Sequence, residues 1–165
     1  MAIIDSVVME LDQEAKTTRR LLERVPEDKL SWMPHPKSMS LGRLALHIAG
    51  SQGFLAGIAA LDTFELGAIP EVEAKSRKEI LDTFDQSVAN AKQSLGKLTD
   101  AQLISTWTMT KGGKVLMSMP RIGFIRAIVM NHQIHHRGQL SVYLRMLDVP
   151  LPSIYGPSAD ENTFG

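Results

Sequence analysis

The sequence predicts an all-α fold, a four-helix bundle, and three observations point to it. Four segments carry apolar residues at spacings of three and four, the repeat of a helix with one buried face. Proline- and glycine-rich stretches separate these segments. The chain has 165 residues, 44% hydrophobic and 22% charged, enough for one substantial core. The expected organisation is a single domain over residues 1–165.

Helix one should run from about Ile4 to Val25, with Ile4, Val7, Val8, Leu11, Ala15, Thr18, Leu22 and Val25 on its apolar side. It should end at "RVPEDKL", where Pro26 supplies the break. "SWMPHPKS" reads as a loop. Ser40 is a good N-cap for a second helix over about Leu41 to Leu61. The third covers about Ser76 to Leu98, with a stripe of Ile80, Phe84, Val88, Ala91 and Leu95. In "TWTMTKGGKVLMSMP", "TKGGK" is a turn between two short extended pieces, and its glycine spacing is not that of a phosphate loop. Pro120 suits the start of a fourth helix reaching about Leu147. The tail "DVPLPSIYGPSADENTFG" reads as an extended arm or ordered loop. Long connections flank helix three, and pattern alone leaves the bundle topology open.

Eighteen basic residues balance eighteen acidic ones, so no charge footprint points to nucleic acid or an anionic membrane. No apolar run approaches the roughly 20 residues of a membrane span. The first residues become charged too early for a signal peptide, and a cytoplasmic location is expected. The chain has no cysteine, which excludes disulfides, thiolate ligands and cysteine nucleophiles. Any thiol chemistry must bring its thiol from outside.

Three of the five histidines fall in "NHQIHHRGQL". His132 and His136 are four apart and stack on one helical face. At about 100° per residue, both point within the apolar side that Ile125, Tyr143, Val129, Ile122 and Leu140 define, centred roughly 40–50° from His132. His135 falls on the flank. On helix two, His47 occupies the centre of a stripe with Leu44, Ser51, Phe54, Ile58 and Leu61. Each buried imidazole needs both nitrogens satisfied, and one shared ion would satisfy three rings together. Such a His₃ set leaves a coordination position open, the mark of a catalytic metal. The bland alternative is hydrogen-bonded core histidines. The pair is not the zincin motif, because Gln133 stands where that motif has glutamate.

"LGRLALHIAG" together with "NHQIHHRGQL", "YLRML" and the proline-rich close resembles the DinB-like superfamily over nearly the whole chain. That group includes metal-dependent hydrolases and S-transferases using bacillithiol or mycothiol. The resemblance implies a four-helix bundle with a long crossover, frequently homodimeric. It also implies zinc or nickel held by His47, His132 and His136, the same three that helical phase selects.

Three ligands without charge should favour an anionic fourth, thiolate or hydroxide. The expected function is therefore a metal-dependent enzyme activating a low-molecular-weight thiol for S-transfer to an electrophile in a small molecule. A hydrolase using metal-bound hydroxide is the alternative, although neither histidine face offers a carboxylate base; its neighbours are Ser51, Gln139 and Tyr143. A non-catalytic metal-binding stress-response or interaction module is a third reading. Gln139 faces the metal side and, with Tyr143, is a candidate substrate contact. Arg137 reads as solvated or salt-bridged, Asn131 as structural and His35 as an exposed loop residue. Trp32 and Trp107 read as packing residues, and Tyr155 as ordering the arm or walling a pocket.

Overall fold

Each long helix starts or stops on a local device already present in the sequence. A computed structural model describes residues 2–162. Helix α1 (Ile3–Leu22) ends four residues before Pro26. Helix α2 (Leu41–Ala59) starts at Ser40, whose Oγ accepts from the Arg43 N–H at 3.0 Å. Helix α3 (Arg77–Leu95) repeats the device with Ser76 and Glu79. A short α4 (Asp100–Ile104) follows, opened by a Thr99–Gln102 capping box.

The all-α expectation needs correcting, because a three-stranded sheet packs beside the helices. β1 (Thr63–Glu65) pairs in parallel with β2 (Thr106–Lys111), which pairs antiparallel with β3 (Lys114–Pro120). The predicted turn is the β2–β3 hairpin. Gly112 and Gly113 take φ values of 56° and 75°, the left-handed pair that a two-residue hairpin turn requires. Trp107, on the inward face, is fully buried and stacks on Phe124 at 3.9 Å between centroids. Its indole N–H donates to the Ile58 carbonyl at 3.2 Å.

The expected fourth helix is one helical run with an irregular middle. α5 (Arg121–Phe124) leads into a π-helical segment, Ile125–Met130, and then α6 (Asn131–Met146). The wider π turn slips the helical phase immediately before His132. The run stops in a Schellman turn: Val149 N–H reaches the Leu144 carbonyl at 3.0 Å, Asp148 N–H reaches Arg145, and Asp148 holds φ at 57°.

α1 packs chiefly on α3 and α6, and α2 on the same two. The α2–α3 approach depends on Gly53, where a Cβ would lie 2.6 Å from the Ser87 carbonyl oxygen. Ser87 Oγ accepts from the Gly53 N–H at 2.7 Å and donates to the Gly50 carbonyl at 3.2 Å.

Buried apolar residues form two clusters. One gathers Leu11, Ala56, Ala91, Trp107, Phe124 and Met130; the other gathers Ala15, Ala49, Phe84, Leu140 and Leu144. Between those positions all four long helices place buried polar residues: Glu14, Ser51 with Gln52, Ser87, and Gln133 with His136 and Arg137. The histidines belong to this polar layer. Among the described residues, no helix is long and apolar enough to cross a membrane.

Candidate metal centre

His47 on α2 and His132 and His136 on α6 turn their Nε2 atoms towards one another. His132 Nε2 lies 3.3 Å from His47 Nε2 and 3.0 Å from His136 Nε2. The three ring centroids are 4.4–5.0 Å apart, with the planes near perpendicular. Three rings converging on one point with edges crossed suit a common ion better than a chain of ring-to-ring hydrogen bonds. A tetrahedral zinc with bonds of about 2.0–2.1 Å sets its nitrogen ligands about 3.3–3.4 Å apart. The two spacings from His132 Nε2 lie within a few tenths of an ångström of that figure, and all three ligand atoms lie within 4.8 Å of one another. No Asp, Glu or Cys joins this cluster among the described residues.

Burial shifts all three imidazoles towards the neutral form that a metal needs. His132 is pushed furthest, to about 4, by burial and then by the charges of His136, His47 and His135. Burial also lowers His47, helped by His136 and Arg43. His136 is lowered by burial against the opposing effect of Gln139. Gln139 Oε1 lies 2.7 Å from His136 Nδ1, so Nδ1 carries the proton and the Nε2 lone pair faces its neighbours. His132 Nδ1 is buried and lacks a hydrogen-bond partner among the described residues.

The cluster sits at the rim of the core. The buried arc of α2, through Ala45, Ile48, Gln52 and Ala56, is centred roughly 130° from His47 at 100° per residue. On α6 the arc through Gln133, Arg137, Leu140 and Leu144 is centred about 110° from His132. This corrects the expected central position of His47: it and His132 are half-buried, while His136 is 9% exposed. The rim leaves the cluster reachable from one side. A groove of about 570 Å³ between α2 and α3, lined by Gly50, Gly53, Phe54 and Gln86, contains none of the three.

The sequence pattern of the DinB superfamily matches residues 10–140. The chain belongs to the DinB superfamily. It is 28% identical over 159 residues to YrdA, an uncharacterized Bacillus subtilis protein, covering 96% of this chain and 91% of YrdA. A crystal structure of a DinB-like protein from Bacillus cereus is similar with a TM-score of 0.73 and 24% identity, over 93% of this chain and 98% of that one. The DinB-like YjoA from Bacillus subtilis gives 0.70 and 23%, over 89% and 96%. These likenesses place the fold and leave the chemistry to the site.

In this DinB superfamily chain the other expected residues are placed as follows. Gln139 touches the cluster through His136. Tyr143 points its hydroxyl at the Met39 carbonyl at 3.3 Å and sets its ring edge-on to Trp32. His135 is exposed and leans its ring on His136, 4.9 Å between centroids. His35 is exposed and accepts from the Lys37 N–H. Arg137 is salt-bridged and not solvated: its Nη1 lies 2.6 Å from Glu14 Oε2, and only 1% of the residue is exposed. Tyr155 orders the arm, bonding Arg137 and Glu14 together.

Sequence reading missed Gln133 and Glu14 as buried contacts. Gln133 Nε2 donates to the Ile48 carbonyl at 3.1 Å, and Gln133 Oε1 accepts from Ser51 Oγ at 3.2 Å. Its helical phase beside Leu140 and Leu144 was the available signal.

Proposed function

We propose that this protein is a metal-dependent enzyme in which His47, His132 and His136 hold a divalent ion, zinc or nickel, and a low-molecular-weight thiol is transferred to a small electrophile. The observation that carries the reading is the convergence of three Nε2 atoms at the core's rim, with no carboxylate or thiolate beside them among the described residues. When bound, such an ion lowers the pKa of a coordinating thiol or water. The chain's own residues prepare that binding. Burial keeps the imidazoles unprotonated at neutral pH. Gln139 holds the His136 tautomer, and the rim position gives a small molecule access.

An uncharged ligand set favours an anionic partner, and a chain without cysteine offers no internal thiol to compete for it. A hydrolase would want a carboxylate base near its water, and none shares the cluster among the described residues. The four long helical segments are read as one bundle whose long crossover is residues 60–76, which return to the start of α2, where Glu73 meets Ser40, before the parallel α3 begins, and the protein as a cytoplasmic homodimer.

The test begins with metal content of the purified protein, followed by a panel of thiols with a chromogenic aryl halide. Expected are one divalent ion per chain and thiol-dependent conjugation abolished by His136→Ala. Ester or amide turnover without any thiol would move the assignment to a hydrolase. Absence of stoichiometric metal, with His47→Ala changing neither metal uptake nor stability, would overturn the metal reading itself.

A further inference from the structure

The metal ligands come from two helices, so their geometry is only as good as the register between α2 and α6. His132 and His47 are each flanked by a residue of one cross-link. Gln133 follows His132, Ile48 follows His47, and Ser51 lies one turn beyond His47. Gln133 is 2% exposed and uses both ends of its amide across the helix interface. Its N–H meets the Ile48 carbonyl at 3.1 Å, and its oxygen takes the Ser51 hydroxyl at 3.2 Å.

This arrangement specifies an amide. The Ile48 carbonyl can only accept, so a donor must face it, and Ser51 needs an acceptor beside that donor. A carboxylate would set an oxygen against the carbonyl, and an apolar side chain would bond neither partner. The apolar contacts on either side of the polar layer are non-directional and tolerate small slides of one helix along the other. Directional bonds do not. Ser51 and the Ile48 carbonyl also have other helical partners available, so losing Gln133 should loosen register more than it destabilises the fold.

We infer that Gln133 is a positioning residue: it struts α6 against α2 and holds His132 at the spacing from His47 that one metal ion requires. Its hydrogen bonds go to the Ile48 carbonyl and the Ser51 hydroxyl, and an amide lacks the basic carboxylate that the zincin glutamate uses. The inference rests on the metal reading above.

The test compares wild type with Gln133→Leu, similar in volume and unable to bond. Affinity for zinc is measured by competition with a chelating indicator, and the ligand field by the visible spectrum of the cobalt-substituted protein. Urea unfolding of the metal-free proteins gives the structural baseline. Zinc affinity should fall about 10-fold or more, the scale seen when residues supporting metal ligands are removed. The cobalt spectrum should change intensity or position, with the metal-free midpoint close to wild type. If Gln133→Leu fails to fold, Ser51→Ala removes one of the two bonds and should weaken zinc about 2–5-fold, a smaller share of the same effect. Unchanged affinity and spectrum in a folded variant would overturn the strut while leaving the metal site standing. A wild type that binds no zinc would overturn the metal reading, and the strut with it.

Discussion

Arg137→Met is the most informative perturbation of the fold around the site. Arg137 lies one residue from His136, is 1% exposed, and meets Glu14 Oε2 at 2.6 Å, Thr18 Oγ1 at 3.2 Å and the Tyr155 hydroxyl at 2.5 Å. Its guanidinium also sits 4.9 Å from the Tyr155 ring centre. Methionine matches the stem and leaves the Glu14 carboxylate, whose side chain is 10% exposed, without its counter-charge. Breaking one side of a buried pair costs about 3–5 kcal/mol. For a chain of this size that is roughly 6–20 °C in Tm. Adding Glu14→Leu removes the stranded charge, and replacing both members of such a pair is often close to neutral. Thr18 keeps its bond to the Glu14 carbonyl, and the Tyr155 hydroxyl can turn to water. The double variant should therefore recover most of the loss. Urea unfolding of the metal-free single and double variants at pH 7 measures both steps. A single variant losing under 1 kcal/mol, or a double variant no more stable than the single, would refute the assignment of stability to this pair.

The remaining expectations concern pH and packing. The folded-state values of the site histidines lie below the ordinary imidazole value, so the unfolded chain binds more protons between the two and stability rises with pH across that interval. With His132 at about 4, the metal-free urea midpoint should fall as pH drops from 6.5 towards 4. After discounting for partial exposure, His132 contributes on the order of 1–2 kcal/mol. His132→Ala should flatten the dependence, and an equal slope in the variant would count against it. Gly53→Ala should destabilise by about 1–3 kcal/mol, because its Cβ meets Ser87 backbone. Gly57→Ala, with nothing within 4 Å, should stabilise by about 0.5–1 kcal/mol. Thermal melts of the two variants moving in the same direction would show the close approach to be unimportant.

The three-histidine cluster was legible because helical phase survives small errors: an i,i+4 pair shares a face wherever that face points. The direction of the core was harder to read. α2 buries Gly42, Ala45, Ala49, Gly53 and Ala56, small residues with a weak apolar signal, while Phe54 and Leu61 are half exposed. Hydropathy therefore drew the stripe towards His47 and away from the true contact face. On the last helix, Ile122, Ile125 and Val129 were phased as though the run were regular, and the π turn over Ile125–Met130 separates them from His132. That error also placed Arg137 outside the apolar side. The hairpin was readable from "KGGK", whereas a three-residue β1 is too short for any alternation to register. Helix α4 did carry a signal, the Thr99-x-x-Gln102 box.

The polar layer divides the molecule into halves that need not melt together. Each apolar cluster supplies its own cohesion, Val88 packs against both, and directional bonds join the helices within the seam at Gln133, Arg137 and Ser87. Such seams are where native proteins open sub-globally, one cooperative block loosening while the other persists. An ion bridging α2 and α6 at this level would fasten the blocks at their boundary. Amide hydrogen exchange should then show its largest metal-dependent slowing next to the seam, at residues that touch no ligand.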